Sequence, residues 1–79
     1  MRLDKYLKVS RIIKRRTIAN EACDAGRVKV NGKSTRASYD VKIGDIIEIS
    51  FGARNFKAQV TSVAETVKKD DAGSLYTCL

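Results

Sequence analysis

The chain has 79 residues, which allows one domain, and a domain of this size buries only about 60% of the surface its unfolded chain exposes. Its 43% hydrophobic and 32% charged residues suit a modest core and place it outside the disordered class. A net charge of +7, no histidine and two cysteines far apart in sequence, Cys23 and Cys78, support neither a zinc site nor a redox dithiol and direct attention to a polyanionic partner.

Leu3, Tyr6 and Leu7 stand at i, i+3 and i+4, which predicts a short first helix with one buried stripe and with Lys5 and Lys8 facing away. From Val9 to Lys14 the chain sets Arg11 and Lys14 beside Ile12 and Ile13, so the isoleucines anchor the connection and the cations point outward. A second helix is predicted from Arg15 or Arg16 to Ala25. Its buried side takes Ile18, Ala19, Ala22 and Cys23, and Gly26 is the left-handed stop. Small Ala19 and Ala22 let the helices approach closely, and Cys23 reads as a reduced structural thiol.

After Gly26 the period changes to two. Val28 and Val30 alternate with Arg27 and Lys29, and Asn31-Gly32 supplies the positive backbone angles of a type I′ hairpin. Asp40 to Asp45 reads as a turn into a strand with Ile47, Ile49 and Phe51 on one face. Phe56, Ala58 and Val60 alternate in a further strand, reached through Gly52-Ala53-Arg54-Asn55. In the closing segment Asp70 or Asp71 would cap a short helix through Tyr76. The predicted class is α+β: two short N-terminal helices packed on a small, mainly antiparallel sheet, with a short C-terminal helix.

The distribution of charge says more than its total. Residues 1–36 hold eleven Lys or Arg against Asp4, Glu21 and Asp24, a net +8, while residues 37–79 hold five bases against six acids, a net −1. The positive excess therefore belongs to the helices and the first hairpin, where each cation that neutralises a phosphate releases condensed counterions. Composition alone leaves RNA, DNA and anionic lipid open. A membrane surface is disfavoured because no helix pairs the basic face with a broad apolar one. No stretch of 18 apolar residues exists and the N-terminus is amphipathic, so a cytoplasmic protein is expected.

Single residues admit structural readings as well. Asp4 reads as a salt-bridge partner that aims Arg2 or Arg16, and Tyr6 as core rather than a base-stacking platform. Arg16 begins a helix whose N-terminus carries positive partial charge, a conflict that an anionic partner would resolve. Lys29 and Lys33 flank the hairpin turn, where keeping a strand edge soluble is as good a reading as binding. Catalysis lacks its parts. There is no histidine, no glycine-rich phosphate loop and no nucleophile beside a base, so no enzyme, cofactor or metal is expected.

Three ordered blocks, Arg2-Leu3-Asp4-Lys5-Tyr6-Leu7, Arg16-x-x-Ala19 and Gly26-Arg27-Val28-Lys29-Val30-Asn31-Gly32, resemble the alpha-L RNA-binding motif, the small domain named after ribosomal protein S-four. The resemblance covers residues 2–50 and leaves 51–79 to complete the sheet and form a short tail. Arg15 stands where a serine is usual in that motif, and Cys23 where a bulky aliphatic is usual. Beyond the motif, Lys14-Arg15-Arg16-Thr17, Ser38-x-Asp40-Val41-Lys42-x-Gly44-Asp45, Phe51-Gly52, Lys68-Lys69 and Tyr76-Thr77 are similar to the RqcP (YabO) family of bacterial ribosome-associated quality control, to which heat-shock protein fifteen is related.

That resemblance implies a protein of split large ribosomal subunits still carrying peptidyl-tRNA. It would support RqcH while alanines are added to the blocked nascent chain. By position it implies contacts of Arg2 and Arg16 with large-subunit rRNA, with Asp4 close by. Lys5, Lys8, Arg11, Lys14 and Arg15 become candidates for neighbouring RNA or tRNA backbone, with Arg27 and Lys29 at the hairpin. Oligomeric state is open in the sequence, with a monomer as the default for a basic ridge that must remain free. An rRNA-binding ribosomal or assembly protein, or a detached accessory of an RNA-modifying enzyme, is the alternative.

Overall fold

The first helix, α1 (Leu3–Val9), forms where the sequence pattern places it, and Leu3, Tyr6 and Leu7 are fully buried. Its start is held in a way that the local sequence does not announce. Arg2 occupies the cap position without a side-chain cap, and the first amides are met instead by a later loop. Leu3 N–H donates to Tyr39 O at 2.8 Å and Asp4 N–H to Ala37 O at 3.2 Å. Residues 37–41 thus run beside the N-terminus and satisfy donors that would otherwise need a capping side chain.

In the computed structural model, residues 1–63 and 75–79 are described. The second helix, α2 (Arg16–Asp24), ends in a Schellman motif. Gly26, at φ +74°, donates its N–H to Cys23 O at 3.0 Å, and Arg27 donates to Ala22 O at 3.0 Å, the paired closure that a left-handed glycine permits. Ala19 is fully buried, as expected. Ile18 is not: it stands 49% exposed, because Arg16, Asn20 and Ala19 share the side of α2 that meets α1, and Ile18 falls on the opposite flank. There it lines a shallow groove with Ala25, Arg27 and Phe51.

Five antiparallel strands follow in the order β2-β1-β3-β4-β5: β1 (Val28–Val30), β2 (Lys33–Ser34), β3 (Ile46–Phe51), β4 (Arg54–Val60) and β5 (Tyr76–Cys78). Val30 pairs with Lys33 across a two-residue turn in which Asn31 has φ 54° and Gly32 φ 84°, the predicted type I′ geometry. Val28, Val30, Ile47, Ile49, Ala58 and Val60 are buried beneath the helices. Phe51 alternates with Ile47 and Ile49 but lies past the edge of the helical cover, 48% exposed. The β3–β4 turn is tighter than expected, since Phe51 pairs with Arg54 and Arg54-Asn55 already belong to β4.

The expected C-terminal helix is corrected where it is described. Tyr76 opens β5 and pairs with Val60, which completes the sheet; residues 68–74 of that expectation lie outside the described residues. The Tyr6 hydroxyl donates to Leu75 O at 2.6 Å and joins α1 to the end of the chain across the core. A second polar knot ties the β1–β2 turn to the segment that leads into β3. The buried Asp45 carboxylate accepts from Asn31 Nδ2 at 3.1 Å, Tyr39 Oη at 2.9 Å and Lys42 N–H at 3.0 Å. Burial alone would push that carboxyl up, but these donors outweigh it and hold it below its ordinary value.

Candidate nucleic-acid interface

The two helices converge on one buried carboxylate. Asp4 is 2% exposed, and its Oδ1 accepts from Lys5 N–H at 2.8 Å and from Arg2 Nε at 3.2 Å. Oδ2 takes Asn20 Nδ2 at 3.3 Å and Arg2 Nη2 at 3.4 Å, and Arg16 Nε lies 3.4 Å away in an ion pair. Arg16 and Asn20 are one helical turn apart, so α2 delivers both to the same point. Burial by itself would raise the Asp4 carboxyl. The hydrogen bonds from Asn20, Arg2 and the Lys5 amide, with the charge of Arg16, outweigh burial and keep it ionised below its ordinary value.

The arginines are held but not covered. Their side chains are 52% and 49% exposed while the carboxylate between them is 3% exposed. Asp4 therefore uses its oxygens to fix two guanidiniums whose remaining N–H donors face solvent, an arrangement suited to phosphate oxygens. The ion pairs of Asp4 with Arg2 and Arg16 are those that an aiming role would need. Asn20 was not singled out from the sequence, although its place four residues after Arg16 put it on the same helix face.

Of the other cations, Lys8, Arg11, Lys14 and Arg15 are exposed along the end of α1 and the connection to α2, and Lys5 is half-buried. Buried Ile13 and half-buried Ile12 anchor this connection, and Ile13 N–H donates to Leu7 O at 3.0 Å. Two candidates stand apart. Arg27 is exposed on the flank of α2 away from Arg16, at the groove with Ile18 and Phe51. Lys29 alternates with buried Val28 and Val30 and is paired in register with Glu48, on the face of the sheet away from the helices.

Tyr6 is core, as expected, and its hydroxyl is engaged. Cys23 is buried, and burial, with the nearby charges of Asp4 and Asp24, pushes its thiol up to about 11, which leaves it an unreactive filler. Among the described residues no group of His, Cys, Asp and Glu could hold a metal ion.

Residues 1–47 match the S4 domain family. The RQC P-site tRNA stabilizing factor of Bacillus subtilis (strain 168) is 51% identical over 79 residues, covering 100% of this chain and 92% of that protein. The factor of the same name from Streptococcus pneumoniae (strain ATCC BAA-255 / R6) is 53% identical over 76 residues, 96% of this chain and 86% of that one. In structure, the chain is similar to Vibrio cholerae Heat Shock Protein 15, described as trimeric, at a TM-score of 0.91 and 28% identity over 100% of this chain and 81% of that one. The chain belongs to the S4 domain family and, within it, to the RQC P-site tRNA stabilizing factors.

Proposed function

We propose that this protein binds large ribosomal subunits that still carry peptidyl-tRNA after a stalled ribosome has split, and that it stabilises the tRNA in the P site. Identity near 50% along the whole chain to factors that bear this name carries the reading, and the paired Arg2 and Arg16 guanidiniums supply chemistry that suits it. These two contact ribosomal RNA, with Asp4 fixing their spacing. Lys5, Lys8, Arg11, Lys14 and Arg15 meet neighbouring RNA or tRNA phosphates, and Arg27 and Lys29 form outlying contacts. The protein acts in the cytoplasm as a monomer and supports RqcH as that factor adds alanines to the nascent chain.

On this reading the protein performs no bond chemistry. It shifts an equilibrium, and only by the margin with which it prefers the P-site state; a hundredfold preference is worth about 2.7 kcal/mol. The test is co-sedimentation with purified large subunits, empty or carrying peptidyl-tRNA, across a salt series. Preference for tRNA-bearing subunits that weakens steeply with salt is expected. Equal binding to both kinds of subunit would instead identify a ribosomal or assembly protein.

A further inference from the structure

The connection between α1 and α2 holds a residue in a backbone conformation that does not suit it. Arg11 has φ +61°, in the left-handed region where the Cβ of an ordinary residue is crowded. The other left-handed positions among the described residues are Gly26, Gly32, Gly44, Gly52 and Asn31, residue types that adopt this conformation readily. Arg11 departs from that pattern.

The turn is imposed from both sides. Arg11 N–H donates to Lys8 O at 3.1 Å, and Ile13 N–H reaches back to Leu7 O at 3.0 Å. Ser10, buried, donates its hydroxyl to Leu7 O at 3.3 Å, and the Ile13 side chain is inserted in the core. A glycine would make the same turn without crowding. Nor does the Arg11 side chain assist folding: it is exposed, and its guanidinium has no hydrogen bond or ion pair with another described residue. Local strain that folding does not explain points to use of the side chain elsewhere.

We propose that Arg11 is a phosphate-contacting residue kept at a glycine-type position against the preference of the fold, so that this turn exchanges stability for RNA affinity. The inference rests on the RNA-binding reading above. It makes Arg11 a separate cationic point at the apex of the connection, flanked by exposed Lys8, Lys14 and Arg15. Arg2 and Arg16, by contrast, share Asp4.

The experiment compares Arg11→Gly, Arg11→Asn and Arg11→Lys with the parent. Arg16→Ala tests the underlying reading, and Arg54→Gln, an exposed cation at the β3–β4 turn, controls for loss of charge. Thermal unfolding and binding to large subunits carrying peptidyl-tRNA are measured across a salt series. Arg11→Asn is expected to raise Tm by about 2–6 °C, and Arg11→Gly by less, because glycine also loosens the unfolded chain. Both should weaken binding roughly tenfold and reduce the slope of log affinity against log salt by about one.

Arg11→Lys should keep the parent Tm and most of the affinity, and Arg54→Gln should change affinity by less than about twofold. If neither neutral variant raises Tm, the position is unstrained and the proposal fails. If they bind like the parent while Arg16→Ala does not, the proposal fails and the RNA reading stands. If Arg16→Ala also binds like the parent, the RNA reading itself fails.

Discussion

Asp4→Asn sets two physical arguments against each other. The substitution removes a negative charge beside Arg2 and Arg16, so long-range attraction alone predicts tighter binding to a polyanion. The geometry predicts the reverse. The carboxylate takes Arg2 at 3.2 and 3.4 Å, Arg16 at 3.4 Å and Asn20 at 3.3 Å, whereas an asparagine keeps one acceptor oxygen and turns an NH2 group toward donors. Each arginine is about half exposed, so each ion pair contributes no more than about 1 kcal/mol, and the Asn20 bond contributes about 1 more. With the Lys5 amide still served by the remaining oxygen, the fold should lose about 2 kcal/mol, roughly 8–16 °C in Tm for a chain of this size. Binding suffers because two freed guanidiniums must be ordered at the RNA, at about 0.5–1.5 kcal/mol each. Affinity for large subunits should fall between roughly fivefold and 150-fold. Measured well below Tm, with circular dichroism verifying the fold, equal or tighter binding by Asp4→Asn would refute the aiming role.

Tyr6→Phe removes the 2.6 Å hydroxyl donor from the buried Leu75 carbonyl, which still accepts from Thr61 N–H at 2.9 Å and Ser62 N–H at 3.2 Å, and should cost about 0.5–1.5 kcal/mol in chemical denaturation; an unchanged midpoint would mean that the link from α1 to the end of the chain adds nothing to stability. At pH 8, Cys78, exposed, should react promptly with a thiol reagent. Cys23, buried and raised to about 11, should react only as fast as the chain opens, and simultaneous labelling of both would contradict the packing of α2. Asp4 and Asp45 are held below the ordinary aspartate value of 3.8. Their contribution is complete above that value and is lost as pH falls through the lowered ones, so Tm should stay level from about pH 5 to 8 and fall below about pH 4. A decline starting near pH 6 would show that other groups govern acid unfolding.

Much of this structure is legible in local sequence because local physics decides it. The stripe of Leu3, Tyr6 and Leu7 fixes α1, Gly26 ends α2, and Asn31-Gly32 dictates the hairpin and with it the register of Val30 against Lys33. What was not legible depends on distant partners. Ile18 looks like a core residue by type, but the Arg16–Asn20 side of α2 is drawn to Asp4 and turns Ile18 outward. Tyr76 becomes a strand because Val60 offers an open edge 16 residues earlier, which no cap signal near Asp70 could reveal. Arg2 and Asp4 could be paired from their spacing. The carbonyls of Ala37 and Tyr39 that replace a helix cap could not, since they arrive only when the chain folds.

The departures from local preference gather in one stretch. Arg2 and Arg15 take helix cap positions with no side-chain cap, and Arg16 opens α2 with no acidic residue in its first turn. Arg11 occupies a left-handed turn. Each choice is unfavourable for a free chain, because helix N-termini repel cations and the left-handed region crowds a Cβ. All four are exposed arginines in the most basic part of the sequence. The apolar residues beneath are buried without their help, although Arg2 and Arg16 also pair with the buried Asp4 carboxylate. Conflict between local rule and observed residue, confined to one charged surface, is what a fold shows where binding rather than folding sets the residue. On the proposed function, an RNA that neutralises these arginines would remove the remaining repulsion at the start of α2, and by binding the folded chain it would raise the stability of the complex.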